Sequence, residues 1–506
     1  MSEAHSKINV SYWVDTTSPP EYPRLSGEVE VDVAIVGAGI VGLTAARLLK
    51  EAGRSVAVVE MDRICRGVTG YTTAKVTSGH SLIYQKLEQK HGPETAGAYA
   101  RANQSALEQI AQWIATDPID CDFERRANYV YSETSDELAS IQKEVDAAGR
   151  AGLDVSFESE LDLPFEVAGA VRLENQAQFH PRKYLEHFAK NIPGDGNHLF
   201  ENSRVTSLRE GSPCEVSTAD GRILAEHVII ATHYPFWDRG LFFPRVHPKR
   251  SYAVAGPIVG AAPSGMYISV DGRTRSIRTI PDGDRTLLMV GGNGHTVGQN
   301  YDTESEYRDL ERWMSERFGV DQVTHRWSSH DGITIDLLPY VGTARRGTDR
   351  IYTATGFGKW GITNGTAAAQ VICDQIAGRD NEFSSLFDPH RITPQASAEK
   401  LVVENTKVAT HWFGDRIKHP QRGDFDSLAP GEAAVQRVGL DQVAGYRDED
   451  GELHAVSAVC THLGCVVTWN GAEKSWDCPC HGSRFDYEGR VLHGPAVKDL
   501  KRKEAL

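Results

Sequence analysis

The sequence predicts a Rossmann-like α/β domain with an inserted mixed-sheet region, followed by a small all-β domain. A glycine-rich turn, Gly37 to Gly42, stands between a strand-like and a helix-like run. Strand-like and helix-like runs then alternate as far as about residue 380, after which the strands become short and are separated by turn signals. The length of 506 residues suits several such domains better than one hydrophobic core.

Composition narrows the classes of function and the compartment. The formal net charge is -15, and we expect no nucleic-acid partner because such a partner requires a basic surface. The stretch Met1–Asp15 has no apolar run behind a basic start, so we expect no export signal and a cytoplasmic protein. The most apolar segment, Val31–Leu49, has the length of a membrane span, but its glycines indicate a nucleotide site and no membrane span is expected.

Changes of pattern divide the chain into four predicted segments. Residues 1–28 contain three prolines and no periodicity and predict an arm over the first domain, and residues 29–390 predict one large α/β unit. Residues 391–420 predict a linker with a helix, and residues 421–506 predict a small antiparallel β domain with turns at Asp448–Gly451 and Asn470-Gly471. The strand-like runs include Val56–Glu60, His227–Thr232, Leu287–Gly291 and Ile351–Thr355, and the helix-like runs include Leu43–Ala52, Glu94–Ala115 and Glu304–Phe318.

The N-terminal glycines have the spacing of a dinucleotide site. Gly37 permits a tight turn, Gly39 lets the backbone approach a pyrophosphate, and Gly42 lets the helix pack closely on the strand. The second strand ends in Glu60, an acid at the distance where it accepts hydrogen bonds from a ribose. The whole strand-turn-helix-strand context therefore predicts dinucleotide binding, against the alternative of a glycine turn without a ligand.

Later motifs favour FAD over NAD. Residues 30 to 380 resemble the D-amino acid oxidase and glycine oxidase superfamily of FAD-dependent oxidoreductases: Gly67 to Lys75 is similar to the loop that wraps the flavin, and Thr355 to Thr363 is similar to the late glycine-rich turn. The resemblance implies an FAD-binding Rossmann-like domain with an inserted mixed-sheet substrate region. It also implies non-covalent FAD, because no cysteine stands at an evident attachment point. The cofactor residues that it implies are Thr72, Thr73, Lys75, Val205, Gly356, Gly358 and Gly361.

Cysteines and histidines near the C-terminus follow a two-box pattern. Cys460 and His462 form C-x-H, and Cys478 and His481 form C-x-x-H. A Rieske 2Fe-2S cluster needs two thiolates on one iron and two imidazoles on the other. A structural zinc site is the alternative, but it takes four ligands and leaves unassigned two of the six Cys and His residues in these boxes. We therefore expect one Rieske cluster per chain, held by these four residues.

Other features of the Rieske domain are implied by its resemblance to respiratory and photosynthetic Rieske proteins. Cys465 and Cys480 stand where those proteins have a disulfide, although such a bond is unusual in the cytoplasm and its state in the cell is left open. Ser483 matches a serine that donates to the cluster, whereas Phe485 replaces a tyrosine donor. Fewer donors predict a lower potential within the Rieske range of about -150 to +300 mV.

The substrate side offers three candidate catalytic residues. Where amino-acid-oxidising relatives often carry an arginine that grips a carboxylate, this chain has Asp331, an acid that suits an amine cation. We expect Asp331 and His330 to line the substrate side of the flavin; the alternative is that Asp331 caps a turn. Lys359, like Lys75, is a candidate for placing positive charge beside the flavin, although a surface ion pair is the commoner role of a lysine.

Three classes of function follow. The first is an FAD-dependent dehydrogenase of a small amine or amino-acid-like substrate that passes electrons through the cluster to an unidentified acceptor. The second is an electron-transfer flavo-iron-sulfur protein reduced by a partner or by NAD(P)H. The third, a Rieske oxygenase, requires a further iron held by two histidines and a carboxylate, for which only His325 and His330 have a suitable spacing.

Overall fold

The structure is a computed structural model that describes residues 7–298, 302–391 and 425–503. Its strands before residue 391 are buried mainly in two large sheets. These strands are β1 (Lys7–Ile8), β2 (Gly27–Val36), β3 (Val56–Val59), β4 (Lys75–Val76), β5 (Glu124–Ser132), β6 (Val155–Glu158), β7 (Gly169–Gln178), β8 (His198–Phe200), β9 (Ser207–Arg209), β10 (Cys214–Ser217), β11 (Gly221–Ile230), β12 (Val246–Pro257), β13 (Met266–Ser269), β14 (Arg275–Asp282), β15 (Arg285–Thr296), β16 (His325–Thr334), β17 (Tyr340–Thr343) and β18 (Ile351–Thr355).

Helices cover these sheets, and several begin at predicted signals. The longest described helix has Pro93 at its first position, where the missing N–H costs no hydrogen bond. In another helix the N-cap side chain, that of Asp302, accepts a hydrogen bond from Ser305 N–H. This helix ends at Gly319, which adopts the left-handed conformation. The described α-helices are α1 (Tyr12–Asp15), α2 (Ile40–Glu51), α3 (Ile83–His91), α4 (Pro93–Thr116), α5 (Leu138–Arg150), α6 (Pro181–Lys190), α7 (Thr303–Phe318), α8 (Gly361–Ile376) and α9 (Ser384–Phe387).

An eight-stranded sheet forms the nucleotide-binding part. Its order is β17-β18-β11-β2-β3-β8, with β10 and β9 attached beyond β11, and β18, β11, β2, β3 and β8 run parallel. Strand β3 has no exposed residue, as expected for a parallel strand covered on both faces. Helices α2 and α8 lead from the carboxyl ends of β2 and β18, so their N-termini point to the same edge of the sheet, where ligands bind in such folds.

A ten-stranded mixed sheet forms the inserted region. Its order is β1-β16-β12-β15-β14-β13-β5-β7-β4, with β6 paired to β7. Most neighbours are antiparallel, whereas β1 with β16 and β13 with β5 are parallel. Strands β12 and β16 lie in register over ten residue pairs, so Arg250 lies opposite His330 and Lys249 lies opposite Asp331. The predicted α/β domain with an inserted mixed sheet is therefore confirmed.

Short antiparallel strands form the C-terminal domain, also as predicted. One sheet has three strands and the other has four, and both predicted turns connect neighbouring antiparallel strands. The strands are β19 (Ala433–Val438), β20 (Asp441–Arg447), β21 (Leu453–Ser457), β22 (Thr468–Asn470), β23 (Ser475–Asp477), β24 (Arg484–Asp486) and β25 (Val491–His493).

Segments outside the two domains are described in part. Of the predicted arm, Trp13 is fully buried and donates to the Thr72 carbonyl at 2.7 Å, so this part lies on the predicted flavin loop. The predicted linker helix falls within residues 392–424, which lie outside the described residues. Over the described ranges, no helix combines the length and the apolar character needed to cross a membrane.

Candidate active site and cluster site

A cavity of about 520 Å³ lies where the two large sheets and the C-terminal domain meet. It is lined by the turn after β2, by the loop before β4, by parts of β15 and β16, and by the start of α8. Of the predicted cofactor residues, those that line it are Gly37, Gly39, Glu60, Thr72, Thr73, Lys75, Val205 and Gly361.

The glycine turn is packed too tightly for side chains. Gly37 has a φ of +106°, and a Cβ there would lie 2.6 Å from the Ala231 carbonyl oxygen. A Cβ on Gly42 would lie 1.9 Å from the Gly37 carbonyl oxygen. Gly42 does not border the cavity, and it serves instead to bring α2 against the turn, as the sequence predicts for the third glycine.

The N-terminus of α2 is open toward the cavity. Its N-cap is Gly39, which has no capping side chain; the first N–H, that of Ile40, donates to the Thr69 hydroxyl at 3.1 Å, and the positive end of the helix faces the cavity, where it favours an anion. Glu60 stabilises the turn by accepting from Ala38 N–H at 2.8 Å, and burial raises its pKa although three backbone N–H groups, this one among them, act the other way. This cradle fits the pyrophosphate and ribose of FAD.

The predicted flavin loop is fixed from both sides. The Lys75 ammonium donates to the Tyr267 carbonyl at 2.5 Å, and burial together with Arg278 lowers its pKa well below the usual value. Arg278 Nη1 in turn donates to the Thr73 carbonyl at 3.1 Å and to the Ala74 carbonyl at 2.8 Å. The loop is therefore held by its backbone, and Lys75 is a buried lysine in this cavity wall.

The turn before α8 places a lysine in the cavity. Gly356 and Gly358 have φ values of +79° and +61°; neither lines the cavity, and both shape the turn. Lys359 has a φ of +77°, which is uncommon for a residue with a side chain. The residue is exposed and opens into the cavity, and desolvation by the surrounding protein lowers its pKa although Asp331 acts the other way.

Asp331 lies beside this lysine. Burial raises the pKa of Asp331 to about 6, although the backbone N–H groups of Lys359 and Gly332 and the charge of Lys359 oppose the shift. Asp331 lies on the cavity wall with Trp327 and Ser329, four and two residues before it on the same face of β16. The structure therefore brings together two of the three candidate catalytic residues, Asp331 and Lys359.

His330, the third candidate, points the other way. Successive residues of a strand alternate between faces, and His330 Nε2 accepts from Arg250 Nη2 at 2.6 Å on the face toward the C-terminal domain. His330 still borders the cavity at the end where its ring lies 5.6 Å from that of His493. Because His325 is five residues earlier, it lies on the opposite face and pairs with Asp15 at 3.2 Å, so β16 does not present the two histidines to one iron.

The four predicted cluster ligands converge. The Cys460 and Cys478 thiols lie beside each other, and the ring centroids of His462 and His481 are 5.0 Å apart. Both histidine Nδ1 atoms are buried without a hydrogen-bond partner, and burial lowers the pKa of His462 to about 4 and of His481 to about 3. Neutral imidazoles beside paired thiols are the donor set of a Rieske cluster, so these residues fit 2Fe-2S.

A disulfide joins the two ligand loops. Cys465 and Cys480 are bonded, as the resemblance implied. The predicted cluster donor Ser483 is fully buried and accepts from Ala496 N–H at 3.1 Å, which connects the ligand loop to the segment Gly494-Pro495-Ala496. Phe485 is fully buried as well.

The C-terminal domain closes one end of the cavity. Its segment 492–497 lines the cavity, and His493 Nε2 lies 3.2 Å from Nδ1 of His233, which follows the nucleotide-binding strand β11. The ring of Phe243 lies 4.2 Å from that of His462 and 5.2 Å from that of His481. The histidine side of the cluster site is therefore turned toward the flavoprotein part of the same chain.

Sequence reasoning missed the residues that make this contact. Arg250, Glu473, Asp477 and Arg484 form a buried ion network between the domains, and each looks like an ordinary surface charge in the sequence. The sequence offers one signal for the two acids. Glu473 and Asp477 stand two and six residues after Gly471 of the predicted turn, and so lie close to a predicted cluster loop.

Comparisons with known proteins agree with both parts of this geometry. The family described as FAD dependent oxidoreductase matches residues 32–375, and the family described as Rieske [2Fe-2S] domain matches residues 422–503. A Bacillus subtilis (strain 168) protein named "Putative Rieske 2Fe-2S iron-sulfur protein YhfW" is 34% identical over 97% of each chain.

More distant relatives resemble the flavoprotein part. Gamma-glutamylputrescine oxidoreductase of Escherichia coli (strain K12) is 24% identical over 78% of this chain and 95% of its own. Among solved structures, glycine oxidase from Geobacillus kaustophilus has a TM-score of 0.60 at 18% identity, over 72% of this chain and 99% of its own. L-proline dehydrogenase from P. horikoshii has a TM-score of 0.58 at 19% identity, over 73% of this chain and 98% of its own. At these identities the two structures show the shared fold.

Proposed function

We propose that this chain, which belongs to the FAD dependent oxidoreductase family and ends in a Rieske [2Fe-2S] domain, dehydrogenates a small amine or amino-acid-like substrate and passes the electrons from flavin to cluster. The observation that carries the proposal is that one cavity is bordered by the nucleotide turn, by Asp331 and by the Rieske segment 492–497. When bound, FAD accepts two electrons from a substrate and the Rieske cluster accepts one at a time.

Asp331 is the residue that we assign to the substrate amine. Its carboxylate lies in the cavity wall, and an ionised carboxylate there attracts an ammonium group and accepts a proton from it. The pKa of about 6 leaves the group largely ionised near neutral pH yet basic enough to take a proton. The name of the Escherichia coli relative, an oxidoreductase of an amine, supports the same substrate class.

Lys359 and the aromatic walls complete this end of the cavity. Lys359 keeps Asp331 ionised when no substrate is present, and a substrate cation competes for the same carboxylate. Trp327 donates to the Tyr71 carbonyl at 3.0 Å, and Trp360 stacks on His80 at 4.6 Å, so both indoles are held in place. Rigid apolar walls exclude water from the reacting carbon.

The test is anaerobic mixing of the purified protein with a panel of primary amines, secondary amines, amino acids and NAD(P)H. Flavin bleaching is followed optically and the reduced cluster by EPR. Bleaching by an amine, followed by the Rieske signal, supports the proposal. Reduction by NAD(P)H alone would assign the chain to electron transfer from a reductase and would contradict the dehydrogenase role.

Matched variants make the test specific to Asp331. Asp331→Asn keeps the shape of the side chain and removes its charge, and we expect it to slow flavin reduction by the amine. Asp284→Asn removes an exposed carboxylate from the turn between β14 and β15 and is the control. Equal rates in the Asp331 variant and the control would remove Asp331 from the substrate site.

A further inference from the structure

We propose that Arg250 is a positioning residue that locks the Rieske domain onto the flavoprotein sheet, so that the cluster stays beside the flavin cavity of its own chain and takes electrons across a fixed junction. This inference rests on the proposed transfer from flavin to cluster, and it does not depend on the substrate.

Arg250 contacts two acids across the junction and one histidine on the neighbouring strand of its own sheet. Its side chain is 1% exposed and stands on β12, in the inserted sheet. Nη1 donates to Glu473 at 3.0 Å, and Nη2 donates to Asp477 at 2.6 Å and to His330 Nε2 at 2.6 Å. One guanidinium therefore joins two acids of the Rieske domain to a histidine at the edge of the flavin cavity.

A second arginine balances the charge. Arg484, within the Rieske domain, pairs with Asp477 at 3.1 Å and also with Glu473. The network thus has two cations and two anions, and the side chains of its four members are between 1% and 19% exposed. Removing one partner of a buried ion network leaves an uncompensated charge, so the network favours one docking geometry over all displaced ones.

The network stands next to the cluster ligands. Asp477 directly precedes the ligand Cys478, and Gly482 directly follows the ligand His481. A Cβ on Gly482 would lie 2.9 Å from Pro248 Cβ, and a Cβ on Gly298 would lie 2.6 Å from Pro479 Cβ. The ligand loop and the flavoprotein part therefore pack so closely that neither glycine has room for a side chain.

Hydrogen and covalent bonds run through this contact without interruption. They lead from His330 at the cavity through Arg250 and Asp477 to Cys478. Because a guanidinium only donates, His330 Nε2 accepts, and a proton on the imidazole is held on Nδ1. The proposal gives this bonded path to one electron, which leaves reduced flavin and reduces the oxidised cluster, and the transfer moves no proton along the path.

A junction of this kind differs from a mobile electron carrier. A domain that must swing toward its donor needs a weak, wet interface, whereas this one buries the Arg250 guanidinium, whose two acid partners belong to the other domain. Transfer within one chain is also independent of protein concentration. The proposal thus predicts a first-order transfer that is sensitive to Arg250.

The experiment uses the full chain loaded with FAD and cluster. The flavin is reduced photochemically with light and EDTA under argon, and reduction of the cluster is followed by visible circular dichroism and EPR. Three variants are compared with the wild type. Arg250→Met removes the contacts with Glu473, Asp477 and His330. Arg250→Lys keeps the charge but lacks the planar guanidinium that donates to several partners at once. Asp499→Asn weakens a different contact between the domains, the ion pair with Arg204 at 2.7 Å.

Arg250→Met is expected to slow cluster reduction by on the order of ten-fold to a hundred-fold, as a displacement of about 1 Å does in a positioned reaction. Arg250→Lys recovers part of this loss, and Asp499→Asn leaves the rate at the wild-type value. Hydrogen exchange of the amides of residues 475–484, measured without turnover, becomes faster in the Met variant because docking is loosened. If the Met variant does not fold, the transfer rate and the hydrogen exchange of the Lys variant are compared with those of the wild type.

Two outcomes overturn the inference. One is an unchanged transfer rate in the Arg250 variants, whatever their hydrogen exchange. The other is a wild-type rate that rises with protein concentration, which would place the donor flavin on another chain. Failure of the proposed function looks different: photoreduced wild-type flavin would leave the cluster oxidised, or no amine would bleach the flavin.

Discussion

His493 of the Rieske domain and His233 of the nucleotide-binding domain approach within 3.2 Å, between Nε2 and Nδ1, at the end of the flavin cavity. Burial lowers the pKa of both, His493 to about 4 and His233 well below its usual value, so near neutral pH one neutral ring donates to the other. The contact means that a residue outside the flavoprotein fold forms part of the flavin cavity.

We therefore expect His493→Ala to change the absorbance and fluorescence of the bound flavin although it alters the Rieske domain. A double-mutant cycle with His233→Ala in chemical unfolding should give a coupling energy of about 1 kcal/mol, the size of one hydrogen bond. His454→Ala, in the Rieske strand β21, is the control because its ring pairs with Asp448 instead. An unperturbed flavin in His493→Ala would contradict the composite cavity.

Metal content distinguishes a Rieske cluster from the two alternatives, a structural zinc site and the further iron of an oxygenase. The converging ligands predict about two irons and two acid-labile sulfides per chain, and no zinc. His481→Ala should abolish the cluster and its EPR signal while FAD remains bound, because the ligand belongs to the separate Rieske domain. A third iron would favour an oxygenase, and stoichiometric zinc would favour a structural site.

Gly42→Ala is expected to weaken FAD binding and to destabilise the fold. The added Cβ would lie 1.9 Å from the Gly37 carbonyl oxygen, and overpacking of this kind costs about 2 kcal/mol. The matched control is Gly97→Ala, inside α4, where the nearest atom is 3.6 Å away and alanine favours the helix by up to about 1 kcal/mol. Flavin released on dilution and the midpoint of thermal unfolding measure both effects. Normal FAD retention in Gly42→Ala would contradict the assigned turn.

Acid should loosen the domain junction. Burial would raise the pKa of Glu473, but Arg250 and Arg484 outweigh it and hold the pKa at about 2, against an ordinary value of 4.5. A depressed carboxylate pKa gives stability that is present above pH 4.5 and is lost as the pH falls toward 2.

Glu473→Gln removes this contribution. We expect it to lower the free energy of unfolding at neutral pH by about 3 kcal/mol and to flatten the pH dependence between 4.5 and 2. Urea unfolding at several pH values measures both, and Glu449→Gln is the control, since that acid forms an exposed pair with Lys474. A curve for Glu473→Gln that parallels the wild type through this range would contradict the role of the network.

Asp331 should determine how the rate of flavin reduction by the substrate falls at low pH. Its pKa is raised to about 6, so the carboxylate that accepts the amine proton is lost below that pH. The rate of flavin bleaching by a substrate amine is expected to rise as the pH passes 6, and Asp331→Asn is expected to be slow at every pH. If the rate of flavin reduction in Asp331→Asn still fell below pH 6 as in the wild type, the titrating group would be another residue.

Much of the fold was predictable because local chemistry alone enforces it. The turn from Gly37 to Gly42 has room only for glycine at its first and third glycines, and the predicted Ile351–Thr355 strand has the bounds observed. The convergence of the four candidate cluster ligands was predictable because a Rieske cluster requires thiolates and imidazoles at short spacings. His330 shows the limit of this reasoning: its neighbour Asp331 faces the cavity wall with Lys359, whereas His330 bonds Arg250 toward the Rieske domain.

The sequence by itself determined the two families, and it predicts the FAD cradle and the four cluster ligands, since each depends on residues close together in the chain. Only the tertiary structure decided that the Rieske domain faces its own flavin cavity. That relationship joins Arg250 to Glu473 and Asp477, more than two hundred residues away. Single charged residues carry no mark of such partners, and burial between two folded domains turns them from surface charges into a junction.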